Sequence, residues 1–134
     1  MKNGRIRVLI IENDTPLAMM MVFVLTRAGC NVDAVHTAKK GLALARKQSF
    51  DLIVLNIHLP EAGGLKVCSE LKARHASRQT PILFISNSFS SEDIAEGRGL
   101  GAVDYLTKPV DMTDFIYRVV LHARAKLPRN VGNN

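Results

Sequence analysis

The chain has no tryptophan, two tyrosines, five phenylalanines, two cysteines and five prolines in 134 residues. Each shortage removes a class of protein. Cys30 and Cys68 are far apart, with no CxxC or Cys/His spacing, so neither a disulfide framework nor a zinc cage is encoded; two reduced, packed thiols in a cytoplasmic protein are expected. Five Pro and nine Gly, with 47% hydrophobic and 22% charged residues, describe a folded globule and not a disordered chain. Long hydrophobic runs are missing too. The longest, Leu17 to Leu25, covers nine residues, about half of the ~18 needed to span a bilayer, and Glu12 stops the run Val8–Ile11 too early for a signal peptide. The few aromatics also qualify the net charge of +6. The basic residues are scattered from Arg5 to Arg129 without interleaved aromatics, which predicts solvated helix faces and no nucleic acid partner for this domain itself. A patch for an acidic partner is the alternative that this charge leaves open.

Four short apolar runs each lead into polar groups: Val8–Ile11 into Glu12, Asn13 and Asp14, Leu52–Leu55 into Asn56, Ile82–Ile85 into Ser86 and Asn87, and Tyr105–Thr107 into Lys108. Parallel strands covered on both faces read as such continuous runs, and open α/β sheets gather their ligand groups at the carboxyl ends of the strands. Between the runs the helix signals recur. Asp14 with Pro16 starts a first helix that Gly29 ends, Asn31–Val35 is a polar edge strand, and a helix runs from about Ala38 to Gln48. Leu65–Arg74 carries Leu65, Cys68 and Leu71 along one stripe, Ser90 to Asp93 starts a helix that Gly97, Gly99 and Gly101 keep short or mobile, and Asp111 caps a last helix from about Met112 to Lys126. Five alternations of strand and helix predict one α/β domain, a doubly wound parallel sheet. The expected domain is 1–127, with 128–134 a tail or the start of a linker.

The acids after the first strand, the polar residue after the third, the hydroxyl after the fourth and Lys108-Pro109 after the fifth resemble the receiver domains of two-component response regulators. So do Phe50-Asp51-Leu52, Leu59-Pro60, Gly64-Leu65, Thr80-Pro81-Ile82, Gly101-Ala102 and Asp104-Tyr105-Leu106, in the same order. The resemblance covers about residues 5 to 126 and implies a flavodoxin/CheY-like fold, five parallel strands in order 2-1-3-4-5 with five helices. It further implies a protein partner, such as a sensor kinase, a phosphotransfer protein or an output domain, and a signalling role instead of an enzymatic one.

In such receivers two acids after strand one, the acceptor Asp after strand three and the carbonyl two residues beyond it hold Mg²⁺. Here those positions are Glu12, Asn13, Asn56 and the carbonyl of His58. The resemblance assigns Ser86 to bond the phosphoryl group, Lys108 to pair with it and Tyr105 to turn inward as the readout; packing alone is the alternative role for Ser86 and Tyr105. An amide is no substitute for the carboxylate nucleophile, and two amides predict weak Mg²⁺ binding, so no cofactor is expected. The reading is a pseudo-receiver not phosphorylated at Asn56. Its alternatives are a phosphorylatable regulator with another acceptor, His58 among the candidates, an engineered Asp-to-Asn form, and a flavodoxin-like small-molecule binder. Lys108 is expected to contact Glu12, Asp14 or the Asn56 oxygen, and Asp14 to cap the helix or serve as a shifted metal ligand.

The first helix holds a second clue. At 3.6 residues per turn, Leu17, Met20, Met21, Val24, Leu25 and Ala28 fall on one stripe, assigned to the core, and Ala18, Met19, Val22, Phe23 and Thr26 on the other. That outer stripe is almost wholly apolar, which points to a protein interface at Met19, Val22 and Phe23, to a foreign partner or a homodimer.

Overall fold

A computed structural model describes residues 4–74 and 76–126. The expected tail 128–134, with Leu127, lies outside the described residues. Five strands and five helices alternate: β1 (Arg7–Ile11), α1 (Thr15–Arg27), β2 (Asn31–Val35), α2 (Ala38–Lys47), β3 (Leu52–Asn56), α3 (Gly64–Ala73), β4 (Ile82–Ser86), α4 (Ser91–Gly99), β5 (Ala102–Thr107) and α5 (Met112–Lys126). All pairings are parallel, and the order is β2-β1-β3-β4-β5.

The two-residue period of the strands sorts the apolar runs into two cores. Val8, Ile10, Leu52, Val54, Leu83 and Ile85 face one side, where α1 and α5 cover them with Ala18, Met21, Leu25, Phe115, Val119 and Ala123. Their alternates, Leu9, Ile11, Ile53, Leu55, Ile82 and Phe84, face the other, against Ala38 and Ala45 of α2 and Val67, Cys68 and Leu71 of α3. Every residue of β3 and β4 is buried, as a strand covered on both faces requires. β2, at the edge, is nowhere fully buried. Both thiols are free and buried, and burial pushes the Cys68 thiol up to about 11.

The helix starts follow from the caps. Asp14 accepts from the Leu17 N–H at 3.2 Å, Thr37 from the Lys40 N–H at 3.2 Å, and Asp111 from the Asp114 N–H at 3.0 Å. In α4 the exchange is reciprocal: Asp93 N–H to Ser90 Oγ at 3.0 Å and Ser90 N–H to Asp93 Oδ2 at 3.2 Å. The helix is short, nine residues.

The phase of α1 differs from the sequence expectation. Its fully buried residues are Ala18, Met21 and Leu25, whereas Met20, assigned to the core stripe, is 49% exposed and Ala28 is exposed. Ala18, assigned outward, lies on the sheet. Met19 and Phe23 do face outward, at 65% and 58% exposure, and Val22 is half-buried beside the core. The reason is compositional. Arg27 is the only charge in α1 and it sits in the last turn, so no polar face fixes the rotation, and the small Ala18 allows the closest approach to the strands.

Candidate functional site

The carboxyl ends of β1, β3 and β5 bring Glu12, Asn13, Asn56 and Lys108 together, as their places after the apolar runs predict. Glu12 and Asn56 are buried, 1% and 6% exposed. The Asn56 side chain uses both of its donor hydrogens and its oxygen in this cluster: Nδ2 donates to Glu12 Oε2 at 3.0 Å and to Asn13 Oδ1 at 2.8 Å, and Oδ1 accepts from the His58 N–H at 2.8 Å. The orientation of the amide is dictated by its partners. A flip would aim the oxygen at a carboxylate and the NH₂ at a backbone N–H, leaving like groups face to face.

Glu12 Oε2 also accepts from the Asp14 N–H at 2.9 Å and faces Lys108 Nζ at 3.4 Å. Its other oxygen, Oε1, lies 3.3 Å from the same ammonium yet makes no hydrogen bond of its own. Lys108 neutralises the charge of that buried atom without lining up a donor on it. Asp14 therefore serves as a helix cap and presents its N–H, not its carboxylate, to the cluster.

A hard divalent cation needs oxygen donors, usually one or two of them carboxylates. The set does not fit one: Asn56 turns nitrogen hydrogens toward both Glu12 and Asn13, and the single carboxylate already faces an ammonium and two N–H donors. Among the described residues no group of three or more His, Cys, Asp or Glu side chains lies close enough to hold a metal. His58 enters the site through its N–H to Asn56, and its side chain is exposed.

Ser86 is fully buried at the end of β4, its Oγ donating to the Ser88 carbonyl at 2.6 Å and accepting from the Ser88 N–H at 3.2 Å. The Lys108 N–H reaches back to the Ser86 carbonyl at 2.8 Å, tying the ends of β4 and β5. The Lys108-Pro109 peptide is cis. Tyr105 is turned in: its hydroxyl donates to the Ile94 carbonyl of α4 at 2.8 Å, and its ring lies edge-on to Phe89 and stacks on Phe84, with centroids at 5.2 and 5.9 Å.

Three features were not foreseen from the sequence. Gly97, read there as a helix weakener, makes room for Tyr105: a Cβ would sit 2.6 Å from its hydroxyl and 3.1 Å from Phe84. A Cβ on Gly64 would lie 2.4 Å from the Asn56 carbonyl oxygen, so the first residue of α3 is seated on the site strand itself. Asp104 binds Arg118 Nη1 at 2.6 Å and His122 Nε2 at 2.7 Å, joining β5 to α5. Burial pushes the Asp104 carboxyl up, but bonds from His122 and the Tyr105 N–H, with the Arg118 charge, outweigh it and hold the group below its ordinary value. The i, i+4 spacing of Arg118 and His122 on one face of α5 was the available signal.

The family profile described as response regulator receiver domain matches residues 8–120. Response regulator ArlR of Staphylococcus aureus is 32% identical over 113 residues, which is 84% of this chain and 50% of that protein; the chain spans about half the length of the curated relatives it matches. Among solved structures, the receiver domain of Francisella response regulator 1452 superposes with a TM-score of 0.84 at 25% identity, covering 92% of this chain and 100% of that one. Chemotaxis response regulator CheY4 of Vibrio cholerae does so with a TM-score of 0.80 at 26% identity, over 87% of this chain and 99% of the other. No helix among the described residues is long and apolar enough to cross a membrane. With the strand order, the polar cluster at the sheet's carboxyl edge and these matches in agreement, the chain belongs to the response regulator receiver domain family.

Proposed function

We propose that this receiver domain takes no phosphoryl group at position 56 and signals through protein contact, as a pseudo-receiver. One observation carries the reading: the Asn56 amide donates to both Glu12 and Asn13 and so fills, with its own hydrogens, the space that a cation would share with them. The chemistry agrees. A carboxylate oxygen can attack phosphorus and become an acyl phosphate, whereas the lone pair of an amide is delocalised and the nitrogen carries no negative charge to expend. Mg²⁺ binding is accordingly weak, and the cluster is neutral as it stands, one carboxylate against one ammonium.

Without the roughly −1.5 to −2 charges that phosphorylation adds, the conformational balance is set by a partner: a sensor kinase, a phosphotransfer protein or an output domain in the cytoplasm. The readout parts, Ser86, Tyr105 and the space at Gly97, are retained for that purpose. Intact-mass spectrometry after incubation with acetyl phosphate and Mg²⁺ tests this. The wild-type chain is expected to gain no phosphoryl group and the Asn56→Asp variant to gain one; a labelled wild-type chain overturns the proposal.

A further inference from the structure

We propose that the groove between α3 and α4 binds a small zwitterion, an apolar amino acid or a molecule built like one, with its ammonium on the α4 wall and its carboxylate on the α3 wall. The proposal goes beyond the pseudo-receiver reading and does not rest on it. The groove has a volume of about 520 Å³, within the roughly 300–1,000 Å³ of small-molecule sites. Its apolar lining is Ile57, Leu65 and Leu100, all packed on the core below α2 and α3. Ala62, Gly63 and Ser69 bring little side chain to it. Ile57 and His58 follow Asn56 in the chain, so the groove lies beside the polar cluster without sharing its side chains. On the other side, α4 supplies the Ile94 carbonyl that the Tyr105 hydroxyl bonds, and a molecule held across the groove ties that helix to α3.

Charge selects the occupant. The two walls carry opposite signs: Lys66 with the Ser69 hydroxyl on α3, Asp93 with Glu96 on α4, each pair at i, i+3 and so on one side of its helix. The first turn of α3 has no acidic residue to answer Lys66. Asp93 is fixed by the cap of α4, where its Oδ2 accepts from the Ser90 N–H at 3.2 Å, which leaves Oδ1 free for a donor in the groove. None of Lys66, Asp93 and Glu96 belongs to an ion pair among the described residues, so the charges face one another across the groove without meeting. A purely anionic ligand is repelled by one wall and a purely cationic one by the other, whereas a dipolar ligand satisfies both. A metal ion does not fit. His58, Asp93 and Glu96 share the groove, yet among the described residues no three His, Cys, Asp or Glu side chains come close enough to hold one.

The test uses L-leucine, L-phenylalanine and L-tryptophan as probes, with N-acetyl-L-tryptophan, which lacks the ammonium, and L-tryptophanamide, which lacks the carboxylate, at about pH 6.5, where an α-amino group is charged. The chain has no tryptophan, so the indole emission reports binding directly. Titrated into ¹⁵N-labelled protein, at least one of the three amino acids is expected to move the amide resonances of His58, Gly63, Lys66, Glu96 and Leu100, with a dissociation constant of about 1 mM or below, as roughly fifteen non-hydrogen atoms allow. The two blocked tryptophans should bind about ten-fold more weakly than tryptophan itself. Glu96→Lys should reverse the order of tryptophan and N-acetyl-L-tryptophan, and Lys66→Glu that of tryptophan and L-tryptophanamide. Both positions are exposed, and an unchanged urea midpoint shows that the variants are folded; should one fail to fold, the other decides with its own blocked ligand. Equal binding of the free and blocked forms, no binding by any of the three amino acids up to about 10 mM, orders that the variants leave unchanged, or shifts confined to another face overturns the proposal. So do shifts of the groove residues that grow with protein concentration alone, which mark an interface between copies. None of these outcomes alters the acetyl phosphate result, so the two proposals fail separately.

Discussion

Replacing Asn56 by Asp changes a donor into an acceptor at the most crowded polar point of the fold. Two hydrogen bonds disappear: one to the Glu12 carboxylate, 3.0 Å away, and one to Asn13 Oδ1, at 2.8 Å. They contribute roughly 1.5–3 and about 1 kcal/mol respectively. In their place stand two carboxylates about 3 Å apart, whose repulsion at an effective dielectric near 20 is about 5 kcal/mol. Lys108, 3.3 Å from Glu12 Oε1, screens part of that, and rotation of the new carboxylate relieves more. The expected net loss is about 2–4 kcal/mol at pH 7 without divalent ions, which at a slope of roughly 2 kcal/mol/M lowers the urea midpoint by about 1–2 M. Mg²⁺ should restore the variant, by about 2.7 kcal/mol at a hundred times its dissociation constant, and leave the wild type nearly unmoved. Lowering the pH should also narrow the gap, because protonation of the new carboxyl returns a donor to Glu12. A variant as stable as the wild type in chelator, or equal stabilisation of both by Mg²⁺, refutes the reasoning.

Two further outcomes are expected. Gly97→Ala, whose methyl would meet the Tyr105 hydroxyl at 2.6 Å and the fully buried Phe84 at 3.1 Å, should cost about 1–3 kcal/mol and free the Tyr105 ring, seen as a changed tyrosine fluorescence; an unchanged urea midpoint and spectrum counts against the close approach. Asp104 has a folded-state value below its ordinary 3.8, so its network stabilises the protein above about pH 4 and that contribution is lost as pH falls through the folded value. Asp104→Asn should therefore lower stability by about 1–2 kcal/mol at pH 7 and by progressively less as the pH falls through the folded value; parallel pH–stability curves for variant and wild type would remove this assignment.

The strands were readable in the sequence because burial on both faces leaves little choice of residue. Leu52–Leu55 and Ile82–Ile85 are apolar at every position, and the polar residues that follow mark where each strand leaves the core. The same simplicity made α1 unreadable in phase. A helix with one charge offers no polar side to turn outward, and only the contacts of Ala18, Met21 and Leu25 with the sheet fix it. The site was legible as residue types, but the direction of the Asn56 amide depends on the His58 N–H, which no pattern supplies. Gly97 and Tyr105 are eight positions apart in sequence, on different elements, and their contact needs α4 to lie against β5. Asp104 and His122 were missed for the same reason.

If a partner replaces phosphate as the input, the surface must deliver comparable energy. Moving a two-state balance from 1:99 to 99:1 takes about 5.5 kcal/mol of preference, which at about 25 cal/mol/Å² corresponds to roughly 220 Å² of apolar surface buried in one state only. Met19, Met20 and Phe23 expose area of that order, given that one aromatic side chain buries about 150–250 Å². A chain of bonds also runs from the loop after β2, through the polar cluster, to α4. His36 bonds the Glu12 carbonyl, the Glu12 carboxylate holds Asn56 and Lys108, the Lys108 N–H holds Ser86, and three residues back along the same strand Tyr105 holds the Ile94 carbonyl of α4. Contiguity by itself transmits nothing; transmission needs an element with two discrete arrangements that both ends bias. Tyr105 joins two contacts in one ring, the hydroxyl bond to the Ile94 carbonyl and the seat against Gly97, so a ring that leaves one forfeits the other.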